Sequence, residues 1–349
     1  MSMSRANHSQ HSDWKDILGK ILKVVLTLGV SVFLVLWLFK KVDFHSVWHI
    51  IASGDVRYGF ILAVVPVLIL SHVIRGYRWG IQLRAAGLGH IPGLTLCCSI
   101  FGAYAMNLLV PYMGEAWRIV WMAKRNNAPV ATVLGTDIGD RGSDAVVVMI
   151  LFVVALIVGH PFIEAFLSHY AVGKKILDIL ANPWLWIGIV GGLGIIIALI
   201  YILRKKSFMQ KTILAIQHVW QGFKVLFTMK GIGLYLVLTF GIWACYFLET
   251  YLAFFAFPFT RELAMQPGMA WGLLPALISF VFSSMSMLIP SNGGLGPWNL
   301  AVMFALSLFG ISDTDGTAFS MLLWSTEAMT LIALGLFTAA YALTSKSKK

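Results

Sequence analysis

The sequence predicts an all-α, polytopic integral membrane bundle with about eight spans and two re-entrant broken-helix elements in an inverted repeat. Three observations predict it. The composition is too apolar for water, apolar runs of membrane-spanning length recur along the chain, and two similarly worded proline–glycine breaks interrupt them.

The chain has 59% hydrophobic and 12% charged residues with a mean hydropathy of +0.83. A soluble domain carries roughly 25% charged residues. No polar stretch is long enough for a separate domain, so the 349 residues are expected to form one transmembrane domain over 21–343. A cytoplasmic segment, 1–20, precedes it and a short tail, 344–349, follows. The formal charge of +11 fits the excess of Lys and Arg on the cytoplasmic side of a membrane protein, and no nucleic-acid partner is expected. Cys97, Cys98 and Cys245 fall in apolar runs with neither zinc-binding nor disulfide spacing.

A helix needs about 20 apolar residues to cross the hydrocarbon. The first run, Ile21 to Phe39, ends in Trp37-Leu38-Phe39-Lys40-Lys41 rather than a small-residue cleavage site, and reads as a retained anchor. Further spans are expected at 59–74, 93–110, 145–159, 184–203, 231–257, 269–289 and 317–343. The stretch 207–229 reads as an amphipathic or linker helix at the membrane surface. Basic residues then gather on one side, in the groups Arg5–Lys23, Arg75–Arg84, Arg204–Lys230 and Lys346–Lys349. The other side holds Lys40, Lys41, Arg57, Lys174, Lys175 and Arg261. Both termini are therefore expected to be cytoplasmic.

With that orientation, spans 93–110 and 145–159 both run outward, so residues 111–143 must return between them. They hold Glu115, Arg118, Asp137, Asp140 and Arg141, with Asp144 just beyond. A bare charge at mid-bilayer costs about 2.5–3.5 kcal/mol on the gentler scale. The segment is therefore expected as a pair of half-helices packed in protein or lining a wet cavity. A second such element is expected over 290–311, because the apolar run 298–311 is only about 21 Å long as a helix. The two regions share a wording. Met106-Asn107-Leu108-Leu109-Val110-Pro111 is followed by Gly114, and Met285-Ser286-Met287-Leu288-Ile289-Pro290 is followed by Gly293, Gly294 and Gly296. Proline removes a backbone donor and glycine permits close approach. Two such breaks in oppositely running spans are the pattern of an inverted-repeat transporter with its substrate between them.

Glu115 and Arg118 stand three apart on one helix face, and Asp137, Asp140, Arg141 and Asp144 share another. They read either as a hydrated cavity wall or as an ion-pair network that makes the segment tolerable. The cavity reading makes Glu115, Arg118, Asp140, Arg141, Asp144 and Asn299 the substrate-binding candidates. Pro111, Gly114, Pro290, Gly293, Gly294 and Gly296 then shape the helix breaks. Half-helix N-termini and arginines suit a phosphate-bearing head group. Arg75 and Arg78 read as cytoplasmic anchors reaching for lipid phosphates. Glu249 and Glu327 fall inside apolar runs, where a carboxyl either stays protonated and hydrogen-bonded or relays protons. No Gly-x-Ser-x-Gly, His-Glu-x-x-His or P-loop motif occurs, and no catalytic residue, metal or cofactor is expected.

At four motifs the chain resembles the lysylphosphatidylglycerol synthase transmembrane region family. These are Arg75-Gly76-Tyr77-Arg78-Trp79, the stretch from Asn107 through Pro111, Gly114 and Glu115 to Arg118, Asp140-Arg141-Gly142-Ser143-Asp144, and Pro290 to Gly296. The family supplies the membrane portion of bacterial multiple peptide resistance factors and many stand-alone flippase-like proteins. The chain departs from it in having Asp140 where Glu is usual, and Pro297-Trp298-Asn299 where Val-Arg-Glu is frequent. The sequence ends at Lys349 with no soluble aminoacyl-transfer domain. The resemblance therefore implies a plasma (inner) membrane protein, not an enzyme, that moves a phosphate-bearing or polyprenyl-linked lipid between leaflets. The alternatives are an accessory subunit of a partner synthase, a lipid-modifying transferase, or a scaffold.

Overall fold

The computed structural model describes residues 44–169 and 229–344, together with 182–184, 187–188, 191–192, 194 and 220. The expected spans 21–39 and most of 184–203, and the expected surface helix 207–229, lie outside the described residues. Among the described residues there are ten α-helices and no strand. In order they are α1 (Phe44–Ala52), α2 (Tyr58–Leu83), α3 (Gly93–Leu109), α4 (Met113–Arg125) and α5 (Val130–His169). There follow α6 (Ile232–Phe254), α7 (Pro258–Met265), α8 (Leu273–Ser286), α9 (Pro297–Ser307) and α10 (Asp313–Thr344).

The helices α2, α5, α6 and α10 are long and apolar enough to cross a bilayer. The shorter α3, α8 and α9 are apolar but fall below that length. Only 11% of the apolar window of α5 is covered by protein, and Val146, Met149, Ile150, Val153 and Ile157 stand exposed along it. A soluble protein does not leave such a face bare, whereas hydrocarbon covers it at no cost. The chain is an integral membrane helical bundle.

Two compact units divide the chain. The first comprises Met1–Val73, Cys97–Arg118 and Trp243–Lys346. Its core gathers Val47, Ile61, Phe254, Phe257, Leu306 and Phe319. Here α9 packs against both α8 and α10, and α1 packs on α10. The second comprises Ile74–Leu96, Ile119–Ile242 and Ser347–Lys349. It buries Trp79, Leu83 and Val133, with a small cluster of Ile81, Met229 and Tyr235. Cys97, Cys98 and Cys245 are buried free thiols, as their apolar settings predict.

The broken helices are present with one correction. α3 stops at Leu109, Tyr112 takes a left-handed φ of 61°, and α4 follows. In the second region α8 stops at Ser286. A turn-rich stretch with Gly293, Gly294 and Gly296 at positive φ leads to α9, which opens on Pro297. The segment 111–143, however, is not two half-helices. α4 closes after Arg125 with Asn127 at φ 50°, and the Ala128 amide donates to the Ala123 carbonyl at 3.0 Å, a left-handed helix stop. Pro129 then sits just before the first turn of α5, where its missing N–H costs nothing. No proline interrupts the next 30 residues, so α5 runs unbroken through Asp137, Asp140 and Asp144. The span expected from 145 thus begins at Val130, and its charged residues belong to its N-terminal end.

Gly114 shows how tightly the first break is packed. A Cβ built there would collide with the backbone carbonyl of Ala103, which has no freedom to move aside. Gly114→Ala is expected to destabilise the protein by at least about 1–3 kcal/mol, the usual cost of overpacking. Thermal unfolding in detergent checks this, and an unchanged midpoint would show that α4 does not rest on α3 as described.

Candidate functional site

The sequence candidates fall into two groups. Glu115, Arg118 and Asn299 lie in the first unit, with the glycine and proline breaks, while Asp140, Arg141 and Asp144 lie in the second.

In the first unit the two helix breaks touch. The Gly293 amide donates to the carbonyl of Asn107 at 3.0 Å, and the Asn292 side-chain amide donates to the Leu109 carbonyl at 3.3 Å. Asn107 is the hub. Its Oδ1 accepts the Gly114 amide at 2.8 Å, and its Nδ2 donates to Glu115 Oε1 at 3.1 Å. Trp324 of α10 closes the other side, its indole donating to the Gly293 carbonyl at 2.8 Å. Backbone groups freed by a break inside an apolar bundle must find partners in the protein, and here each break supplies some of the other's. A Cβ on Gly293 would strike Leu108, so glycine is needed both for approach and for its positive φ. Arg118 is fully buried and Glu115 is half-buried.

Asn299 caps α9, its Oδ1 accepting the Gly296 amide at 3.1 Å. It is 1% exposed, and its Nδ2 has no hydrogen-bond partner among the described residues. A buried amide donor left open is costly, about 1–3 kcal/mol. It is therefore a natural contact for an acceptor that arrives from outside the chain.

The second unit holds a closed charge cluster. Arg75 and Arg78 of α2 face Asp140 and Asp144 of α5. Arg75 Nη1 lies 2.7 Å from Asp144 Oδ2 and 3.6 Å from Asp140 Oδ2. Arg78 Nη2 lies 2.7 Å from Asp140 Oδ1, and its Nη1 lies 2.8 Å from Asp144 Oδ1. Each guanidinium thus lies against both carboxylates, Arg78 with a different nitrogen of its planar fork on each and Arg75 with Nη1 alone. A second layer fixes the partners. Arg78 donates to Thr239 Oγ1 at 3.3 Å and stacks 5.3 Å from the Tyr235 ring centroid. The Tyr235 hydroxyl accepts from Gln82 at 2.8 Å and pairs with Ser143 at 2.6 Å. Trp79 donates its indole N–H to Thr136 at 3.2 Å. Asp137 is buried and Arg141 half-buried near the cluster.

Arg75 and Arg78 are therefore not the snorkelling anchors expected of them. At 2% and 0% exposed they cannot reach lipid phosphates, because two aspartates on the neighbouring helix hold them inside. The sequence carried a signal for this. Arginines three apart and aspartates four apart each place like charges on one helix face, and two such faces of opposite sign match. Nearby, a cavity of about 470 Å³ opens between Ile81, Arg84, Ala85, Met229, Lys230, Gly231 and Leu234, with exposed Arg84 and Lys230 at its edge.

The family described as "Lysylphosphatidylglycerol synthase TM region" matches residues 24–335. The chain belongs to this family. The match spans both helix breaks and the arginine–aspartate cluster, so the lysylphosphatidylglycerol synthase TM region covers the described bundle as far as residue 335 in α10. No curated protein and no solved structure matches significantly. Among the described residues no group of three or more His, Cys, Asp or Glu side chains is placed to hold a metal ion.

Removing one member of the cluster strands buried charge, whereas removing all four does not. Arg78→Ala is expected to cost about 3–5 kcal/mol of stability, and joint replacement of Arg75, Arg78, Asp140 and Asp144 by apolar residues is expected to recover most of it. Thermal unfolding of both variants checks this. A near-neutral Arg78→Ala would contradict a buried, closed cluster.

Proposed function

We propose that the protein moves a phosphate-bearing lipid, or a polyprenyl-linked substrate, between membrane leaflets without altering it chemically. Membership of a family concerned with lipid handling supports a lipid as the substrate. The observation that carries the transport reading is the contact between the two helix breaks, Gly293 to Asn107. Paired broken helices inside an apolar bundle are where secondary transporters bind substrate, because helix ends there present polar backbone to a ligand.

In this reading the head group is held at the joined breaks. Arg118 supplies positive charge, and Asn299 Nδ2 supplies a neutral donor. The acyl or prenyl chain stays in the bilayer. The cluster of Arg75, Arg78, Asp140 and Asp144 is electroneutral and closed on itself, so it holds α2 against α5 rather than binding the phosphate. Glu115, tied to Asn107, sets the geometry of the break. The protein lies in the plasma (inner) membrane with both termini cytoplasmic.

Proteoliposomes carrying labelled phospholipids and polyprenyl phosphates test the proposal. The wild type is expected to move at least one of them. Arg118→Ala is expected to slow that movement by roughly tenfold or more, since a hydrogen bond to a charged group is worth about 1.5–3 kcal/mol. Folded wild-type protein that moves none of these lipids would overturn the proposal.

A further inference from the structure

The cavity in the second unit takes no part in the transport reading. It lies where the end of α2 meets the start of α6. α2 gives way to a π turn, Arg84–Leu88, with Gly87 at φ 93°. α6 opens just after Gly231, which stands at φ 105°, and the Tyr235 amide donates back to the Gly231 carbonyl at 3.0 Å. The two helix ends are level with each other. Gln82 donates to the Tyr235 hydroxyl at 2.8 Å, and Ile81, Met229 and Tyr235 pack together. Both helices are long enough to span a bilayer, so the joint between the end of one and the start of the other lies at a membrane face.

The walls suit a ligand with an anionic head and an apolar body. Ile81, Met229 and Leu234 supply apolar surface, and Arg84 and Lys230 stand at the edge. Both cations are exposed, and neither side chain has an ion-pair or hydrogen-bond partner among the described residues. No acid lines the cavity among those residues. Asp140 and Asp144 are held by Arg75 and Arg78 at 2.7–2.8 Å, so they do not neutralise Arg84 and Lys230. The volume, about 470 Å³, falls within the roughly 300–1,000 Å³ of small-molecule sites. Beyond Leu234, α6 continues with Leu236, Val237 and Phe240 exposed, an apolar track on which an acyl chain can lie.

We infer that this cavity binds the phosphate head of an anionic phospholipid, at a site separate from the joined helix breaks. Isolated basic residues at helix ends are ordinary anchors. Here two of them, from distant parts of the chain, converge on one concavity, and basic pockets between spanning helices at a membrane face are where anionic head groups bind. Arg84 offers the phosphate a planar fork of donors and Lys230 a mobile point charge. Ile81, Met229 and Leu234 receive the glycerol backbone and the first methylenes. A lipid seated there touches both α2 and α6 and ties their ends together.

Native mass spectrometry of the full chain in detergent, titrated with phosphatidylglycerol, phosphatidylcholine or glycerol phosphate, tests the site. Phosphatidylglycerol is expected to bind in preference to phosphatidylcholine, and glycerol phosphate is expected not to displace it. Arg84→Ala and Lys230→Ala should each weaken phosphatidylglycerol binding about fivefold, and together about twenty-fivefold, the effect of one and two basic residues beside an anionic lipid. Both side chains are exposed and unpartnered, so the variants are expected to unfold at the wild-type temperature. Arg57→Ala, which removes the same charge just before the other end of α2, should leave binding unchanged. Equal binding of the two lipids, full binding by the double variant, or an equal loss in Arg57→Ala would overturn the site. Displacement by glycerol phosphate would overturn the lipid as ligand in favour of a soluble phosphate. Binding that depends on Arg118 and not on Arg84 and Lys230 would place the lipid at the joined breaks and overturn this site. Wild-type protein that moves no lipid would leave these results standing, so the two proposals fail separately.

Discussion

Hydrocarbon offers nothing to a charge or to an unpaired backbone group, and the fold is organised by having to satisfy both from within. The contact of α2 with α5 answers the first demand. Four formal charges stand in helices otherwise suited to lipid, and each would cost about 2.5–3.5 kcal/mol alone at mid-bilayer. As two guanidinium forks over two carboxylates they sum to zero, at contact distances of 2.7–2.8 Å. Arginine's planarity lets one side chain serve two acids. The cluster lies just before the apolar face of α5 that opens at Ala145 and Val146. The polar part of the helix is thereby pinned to protein, leaving the apolar part to lipid.

The second demand is met at the helix breaks. Around Pro111 and Pro290 and the positive-φ glycines, α3 and α8 give way to turns, releasing amides and carbonyls. The amide of Gly293 finds the carbonyl of Asn107, and the side chain of Asn107 holds the Gly114 amide. One asparagine thus ties its own break to the next helix and, through its backbone, to the other break. Glycine at 114 follows from distance, since any side chain there would meet the Ala103 backbone, whereas at 293 the left-handed φ of 55° favours it.

Much of this was legible in the sequence because it rests on local chemistry. Apolar run length pointed to the four long helices α2, α5, α6 and α10, and the Pro-x-x-Gly wording to the breaks near 111 and 290. The spacing of Asp137, Asp140, Arg141 and Asp144 gave a common helix face. What was not legible depended on partners distant in the chain. Arg75 and Arg78 look like interfacial anchors until α5 is beside them, 62 to 69 residues further on. The start of α5 was hidden for a different reason. Hydropathy reports where a helix enters lipid, whereas the helix itself begins at the Asn127–Pro129 stop, well before its residues become apolar. Asn299, set against the family's more frequent acid, was legible as a departure, but its capping of Gly296 was not.

The buried polar groups differ in what balances them. The arginine–aspartate cluster is balanced in charge, doubly bridged, and backed by Thr239, Tyr235, Gln82 and Ser143. Disturbing it strands charge, so it resists change and suits a brace. Arg78 Nε and Gln82 Oε1 still lack a hydrogen-bond partner there, as does Asn299 Nδ2 in the other unit. In the cluster, ion contacts at 2.7–2.8 Å offset that loss, whereas the neutral Asn299 amide has no such compensation. Under the proposed transport reading, an acceptor such as a phosphate oxygen would fill the open amide. Asn299 lies in the unit that holds the joined helix breaks, so the donor and the breaks belong to one packed body.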